Sequence, residues 1–243
     1  MGNNITYKRF GEKAILMEWK AIIDDAILKD ILEFQEKIKF YNQAHVIDVI
    51  QGYHSLTIIY QNKIFDFTAA VNHLKTIYAS TLKKDKQQLY QWEIPVCYDL
   101  EFGIDLVEIS NTKNKSIDEV IKLHVSAIYT IYFIGFLPGF LYLGGLPEQL
   151  YVSRKSNPRL HVAKGAVGIG GKQTGVYPNK SAGGWNIIGK TPINFFDVAK
   201  QNPCFAKAGD TIKFNSISLE DYKYIASEIK QQKYQLIKTV QNA

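Results

Sequence analysis

Gly165-Ala-Val-Gly168-Ile-Gly170-Gly171-Lys-Gln173-Thr174-Gly-Val-Tyr177-Pro178 is the stretch on which the fold turns. Glycine alternates there with apolar residues, a pattern of strands packed at close backbone approach. The run lacks the strand–turn–helix setting of a dinucleotide-binding loop. Outward from it, residues 129–216 read as short strands joined by glycine turns, which suits a β-barrel or a sandwich.

Glycine and proline divide the chain in two. All seven prolines and fourteen of the seventeen glycines follow residue 94. The part before it therefore reads as regular elements with few special turns. Thr6 to Lys20 alternates as one or two strands. Ile27, Ile31, Phe34 and Ile38 recur at helical spacing and place a helix over 24–41. Residues 44–60 read as a hairpin turning near Gly52, 67–82 as a second helix and 89–98 as a strand. Strand–helix–strand–strand–helix–strand is the order of a ferredoxin-like sandwich. Ser116-Ile-Asp-Glu119 is a capping box for a helix from Ile117 to about Ile128. Ser218-Leu-Glu-Asp221 opens a last helix to about Ile237. The expected class is α+β, with an N-terminal α/β domain over 1–92 and a barrel domain over 93–243.

A chain of 243 residues with 46% hydrophobic and 21% charged residues can bury a sizeable core. The net charge of +6 is spread over scattered lysines, with Lys83-Lys84-Asp85-Lys86 in an expected loop as the longest cluster. A nucleic-acid partner needs a concentrated basic face, so none is expected. Cys97 and Cys204 form no C-x-x-C pair, so neither a zinc site nor a dithiol is expected. Met1 to Thr6 has no signal-peptide pattern, and its formal match to a myristoylation motif reads as chance. No apolar run reaches the ~18 residues that span a bilayer. A cytoplasmic protein with reduced thiols follows.

Gly184-Trp-Asn-Ile-Ile-Gly189-Lys190-Thr191 fits the P-loop pattern but reads as a buried strand, because its interior is Trp185, Asn186, Ile187 and Ile188. In Gly135-Phe136-Leu-Pro-Gly-Phe140-Leu-Tyr142, aromatic residues flank a Pro-Gly turn. A turn explains the Pro-Gly, and a concave aromatic pocket or a core would use the rings. Arg9, Arg154 and Arg159 are the arginines of a lysine-rich chain. Two of them share one short segment, which suggests a clamp for a carboxylate or phosphate. Gln173, Thr174, Tyr177, Ser181 and Trp185 add amide, hydroxyl and indole groups on turns. His124 falls on the capped helix among apolar residues, where it is a core residue or an acid–base group.

The run from Gly135 to Pro147, Asn157-Pro-Arg159, Gly168-Ile-Gly, Gln173-Thr-Gly-Val-Tyr177-Pro and Gly183-Gly-Trp185-x-x-x-Gly189-x-Thr191-Pro192 together resemble the 5-oxoprolinase B-subunit family. It is also called the allophanate hydrolase subunit 1 family and includes the kinase inhibitor KipI. Phe10-Gly-Glu, Tyr53-His-Ser-Leu, Ile94-Pro-Val-Cys-Tyr98 and Ala208-Gly-Asp210 extend the resemblance over nearly the whole chain. Lys190 stands where the family has arginine, and Ala182 where it has proline. The resemblance implies a ferredoxin-like α/β domain followed by a cyclophilin-like β-barrel, in a bacterial protein. It implies ATP-dependent opening of 5-oxo-L-proline to L-glutamate, carried out with the 5-oxoprolinase A and C subunits, ATP being held in the assembled complex and no metal by this chain. The alternative it implies is a KipI-like inhibitor of a sensor histidine kinase. Expected catalytic residues are His124, Arg159 and Lys190. Expected substrate contacts are Phe136, Phe140, Tyr142, Arg154, Gln173, Thr174, Tyr177, Ser181 and Trp185.

Overall fold

The computed structural model describes residues 4–41, 45–64, 66–82 and 88–241. The Lys83–Lys86 cluster and the Met1–Asn3 terminus lie outside the described residues. The chain separates into units 1–87 and 88–243.

The first unit contains β1 (Thr6–Phe10), β2 (Ala14–Glu18), α1 (Asp25–Tyr41), β3 (Val46–Gln51), β4 (Ser55–Tyr60) and α2 (Phe67–Ala79). Asp24 and Asp66 cap the two helices by accepting from backbone amides of the first turn. The sheet order is β1-β2-β4-β3, antiparallel throughout. Ile31, Phe34 and Ile38 of α1 and Leu74 of α2 bury against Ile15, Met17, Leu56 and Ile58. Each such side chain contributes about 1.5–3 kcal/mol of burial. One strand assignment is corrected: the edge beside β2, where a ferredoxin-like sandwich places the strand after its second helix, is taken by β1. Gly11, at φ +69°, makes the tight β1–β2 turn. The strand over 90–97 belongs to the second unit, because its end Ile94-Pro-Val-Cys97 is buried on both faces, which a half-solvated edge cannot offer.

The second unit runs β5 (Tyr90–Cys97), α3 (Leu106–Lys113), α4 (Ile117–Ser126), β6 (Ile128–Ile134), β7 (Leu141–Gly144), β8 (Arg159–Val162), β9 (Ala166–Gly170), β10 (Gln173–Val176), β11 (Ser181–Gly183), β12 (Asn186–Lys190), β13 (Thr211–Ile217), α5 (Leu219–Lys230) and β14 (Lys238–Val240). Seven strands close into a barrel in the order β12-β9-β10-β7-β6-β13-β5, and Lys190 opposite Cys97 joins the ends. β14 pairs with the first half of β5, and β8 with β11 forms a separate ribbon. Tyr129, Ile131, Leu141, Val167, Ile169, Ile188 and Phe214 fill the barrel.

Both capping boxes form. The helix from Ile117 stops at Ser126, since Ala127 is already extended and leads into β6. The last helix stops at Lys230, seven residues before the expected Ile237. Gln232 turns left-handed at φ +59°, and the amides of Gln232 and Lys233 donate back to the carbonyls of Ile229 and Glu228. That is a Schellman stop, made here without glycine. Helix α3 has no counterpart among the sequence expectations.

Candidate functional site

Strand β6 ends at Ile134, and the chain turns back within residues 135–140, where the Gly135 amide donates to the Phe140 carbonyl at 3.1 Å. Gly139 takes φ +83°, as the Pro-Gly turn requires, and Phe136 takes φ +59°. A left-handed aromatic residue is strained by about 1–3 kcal/mol. Phe136 is nevertheless 63% exposed, so the strain holds an apolar ring in the open, edge-on to Phe140 at 5.5 Å.

Behind Phe136 the buried rings of Phe140, Tyr177 and Trp185 meet edge-to-face at 5.5–6.3 Å. Trp185 fits because two strands present glycine to it. A Cβ on Gly170 would lie 2.4 Å from the indole, and one on Gly175 3.1 Å from it. The glycine-rich run is thus the close-packed strand pair expected of it. These rings, with Phe136, Tyr142 and Arg154, line a cavity of about 360 Å³, within the usual size range for small-molecule sites. The Arg154 guanidinium lies 5.8 Å from the Trp185 ring centre and donates to Gln173 Oε1 at 3.3 Å. Among the described residues no carboxylate pairs with it. Burial pushes the Tyr142 and Tyr177 phenols up against the opposing pull of Arg154, so both stay protonated.

Arg159 and Lys190 lie elsewhere. They line a second cavity of about 320 Å³ with Glu101, Phe102, Ile104 and His161. Arg159 Nη2 donates to Asp105 Oδ1 at 2.6 Å. Lys155, on the wall of the first cavity, reaches the same oxygen at 3.2 Å and also pairs with Glu108. Asp105 Oδ2 accepts from the Ile187 amide at 2.6 Å. Burial would raise the Asp105 carboxyl, and the bonds from Arg159, Ile187 and Lys155 outweigh it and hold the group below its ordinary range. Arg159 is therefore anchored by a buried carboxylate. Asp105 was missed in the sequence reading. The signal was indirect: arginines in a lysine-rich chain call for a planar acidic partner, but nothing in the spacing names it. The Lys190 ammonium sits 5.0 Å from the Phe102 ring centre and 5.9 Å from that of Tyr222.

His124 and Thr174 reach neither cavity, being fully buried in the barrel. Thr174 donates its one hydroxyl proton to the Gly168 carbonyl at 3.0 Å. It therefore accepts from His124 Nε2–H at 2.9 Å, which leaves Nδ1 to accept from the Tyr98 hydroxyl at 2.7 Å. Burial lowers the His124 pKa to about 3, so the ring is neutral and fully bonded. Ser181 stands beside Ala182 of the first cavity and donates to the Ala182 carbonyl. The P-loop-like run is strand β12, with Trp185 to Gly189 buried, and offers no amide cradle. Among the described residues no three His, Cys, Asp or Glu side chains could hold a metal ion, and no helix is long and apolar enough to cross a membrane.

Residues 5–206 match the family model described as carboxyltransferase domain, subdomain C and D. The chain is 41% identical to the 5-oxoprolinase B subunit of Haemophilus influenzae over 173 residues, 71% of this chain and 80% of that one. It is 36% identical to the 5-oxoprolinase B subunit of Escherichia coli O157:H7 over 204 residues, 84% of this chain and 92% of that one. The crystal structure of the K. lactis urea amidolyase superposes with a TM-score of 0.81 over 98% of this chain and 16% of that chain, at 19% identity. The last is a likeness of fold.

Proposed function

The chain belongs to the carboxyltransferase subdomain C and D family, among the 5-oxoprolinase B subunits, and from this we propose that it serves as the B subunit of an ATP-dependent 5-oxoprolinase. With the A and C subunits it would open 5-oxo-L-proline to L-glutamate, water adding across the ring C–N bond as ATP is hydrolysed. The observation that carries the reading is the aromatic cavity, with a guanidinium on its wall that no described carboxylate pairs. The substrate is a small, nearly flat lactam bearing a carboxylate. Phe140, Tyr177 and Trp185 offer ring faces and edges to the lactam, and Arg154 offers a fork to the carboxylate. The protonated Tyr142 phenol can donate to the lactam carbonyl as charge grows on its oxygen, while Phe136 sits at the rim where a lid would exclude water.

Among the described residues, the P-loop-like run is a buried strand and offers no phosphate cradle. In this reading ATP is held by the assembled complex, and no step through it is assigned to these side chains. The test is reconstitution: purified chain alone, the A and C subunits together, and all three, assayed for ATP-dependent glutamate formation. Turnover should require all three. Turnover by A and C alone, unchanged on adding this chain, would refute the reading. Inhibition of a sensor kinase by the same preparation would favour the KipI-like alternative.

A further inference from the structure

Arg159 is expected to share one clamp with Arg154, and the structure places it instead in a separate cavity with Lys190. Arg159 enters it already oriented: Nη2 is fixed on Asp105 at 2.6 Å, and the Ile187 amide fixes the other Asp105 oxygen. Nη1 of the same guanidinium is buried and has no hydrogen-bond partner among the described residues. A buried N–H group of a charged fork is costly to leave unbonded, so such an atom marks a place for an acceptor. Lys190 lines the same cavity from β12, whose register against β9 shifts between Ile187 and Gly189. Bulges of this kind re-aim the side chains that follow them. Its ammonium rests on the rings of Phe102 and Tyr222, themselves 4.7 Å apart. Among the described residues no carboxylate pairs with it. Glu101 is the acid on the cavity wall, and it is exposed.

We propose that this second cavity is a binding site for a small oxyanion, phosphate or carboxylate, held by the Arg159 guanidinium and the Lys190 ammonium that line it and distinct from the aromatic cavity. Asp105 is the positioning residue: by holding Nη2 it sets the plane of the guanidinium at the cavity wall. Rings under the ammonium hold it in place without quenching its charge. A phosphoryl group and a carboxylate share this chemistry, because each offers oxygens to a fork and a point charge.

The test is calorimetric titration of the full-length chain with inorganic phosphate and, separately, with acetate, at low ionic strength. Wild type should bind at least one of the two saturably, and which one identifies the source. Lys190→Met should weaken that binding at least tenfold, whereas Glu101→Gln should tighten it about threefold. Arg154→Ala should leave it within twofold, which separates this site from the aromatic one. Glu101 is exposed, so its variant keeps the proposal testable even where Lys190→Met folds poorly. The proposal is overturned by no saturable binding of either ion, by binding that Lys190→Met leaves within twofold in a folded protein, or by no tightening with Glu101→Gln. Loss of binding in Arg154→Ala would move the ion to the aromatic cavity and equally overturn it. The proposed lactam site is tested by turnover of the three-subunit complex, so either reading can fail without the other.

Discussion

Two places in the barrel surround a polar nitrogen group with aromatic rings, and they do opposite things. Around His124, every group is used: both ring nitrogens are bonded, the ring stacks on Phe214 at 4.7 Å, and water has no access. Around Arg154, the rings of Trp185 and Phe140 are equally well packed, yet the guanidinium is exposed and unpaired by any described carboxylate. A histidine looks more chemical than an arginine on a loop. The difference lies in what remains unbonded: His124 has nothing left to offer a substrate, while Arg154 does. Stability should therefore depend on the first place and ligand recognition on the second.

The largest effect on stability is expected at the closed site. His124→Ala opens a cavity and strips partners from the Tyr98 and Thr174 hydroxyls, which should cost about 3–5 kcal/mol in urea unfolding. A loss below about 1 kcal/mol would mean the network is not intact in solution. The same site should show in the pH dependence. His124 titrates at about 3 when folded and near its ordinary 6.5 when unfolded, so the unfolded chain binds the extra proton. Its contribution is complete above pH 6.5 and is lost as pH falls toward 3, with a slope approaching about 1.4 kcal/mol per pH unit. Subtracting the profile of a folded His124→Gln variant isolates that slope, and a flat difference between pH 4 and 6 would contradict a neutral, buried ring.

An intermediate effect is expected where the two kinds of packing meet. Gly170→Ala would set a methyl 2.4 Å from the Trp185 indole and should cost about 1–3 kcal/mol by thermal or urea unfolding. Because the indole is a wall of the aromatic cavity, ligand affinity should fall with it. Unchanged stability would show that the glycine run is not there to admit the tryptophan.

Much of this was legible in the sequence. Periodicity placed α1, the hairpin and α2 because their cores are local stripes, and the capping boxes fixed two helix starts because the box is a local hydrogen-bond exchange. The glycine–proline division marked a domain of short strands, a barrel or a sandwich, which the structure shows to be a barrel, and the aromatic run with Arg154 did gather in one cavity. What could not be read depends on contacts distant in sequence. The edge strand of the first sheet was misassigned because a strand signal does not say which sheet receives it. The stop of α5 at Gln232 carries no glycine to announce it. Arg154 and Arg159 look equivalent in sequence, and Asp105, at the start of α3, anchors Arg159, while no described carboxylate pairs with Arg154.

The smallest stability change, and the sharpest functional one, belongs to Arg154. Arg154→Ala removes an exposed side chain with one weak polar contact, so unfolding free energy should move by no more than about 0.5 kcal/mol. The decisive measurement is kcat/KM for 5-oxo-L-proline in the three-subunit complex assembled with Arg154→Ala, beside the wild-type complex. Loss of a charge-assisted carboxylate contact of about 2–3 kcal/mol predicts a fall of roughly 30- to 150-fold, with Arg154→Lys recovering part of it. A folded, assembled variant within about twofold of wild type would contradict the account, because the aromatic cavity would then not be where the substrate is held.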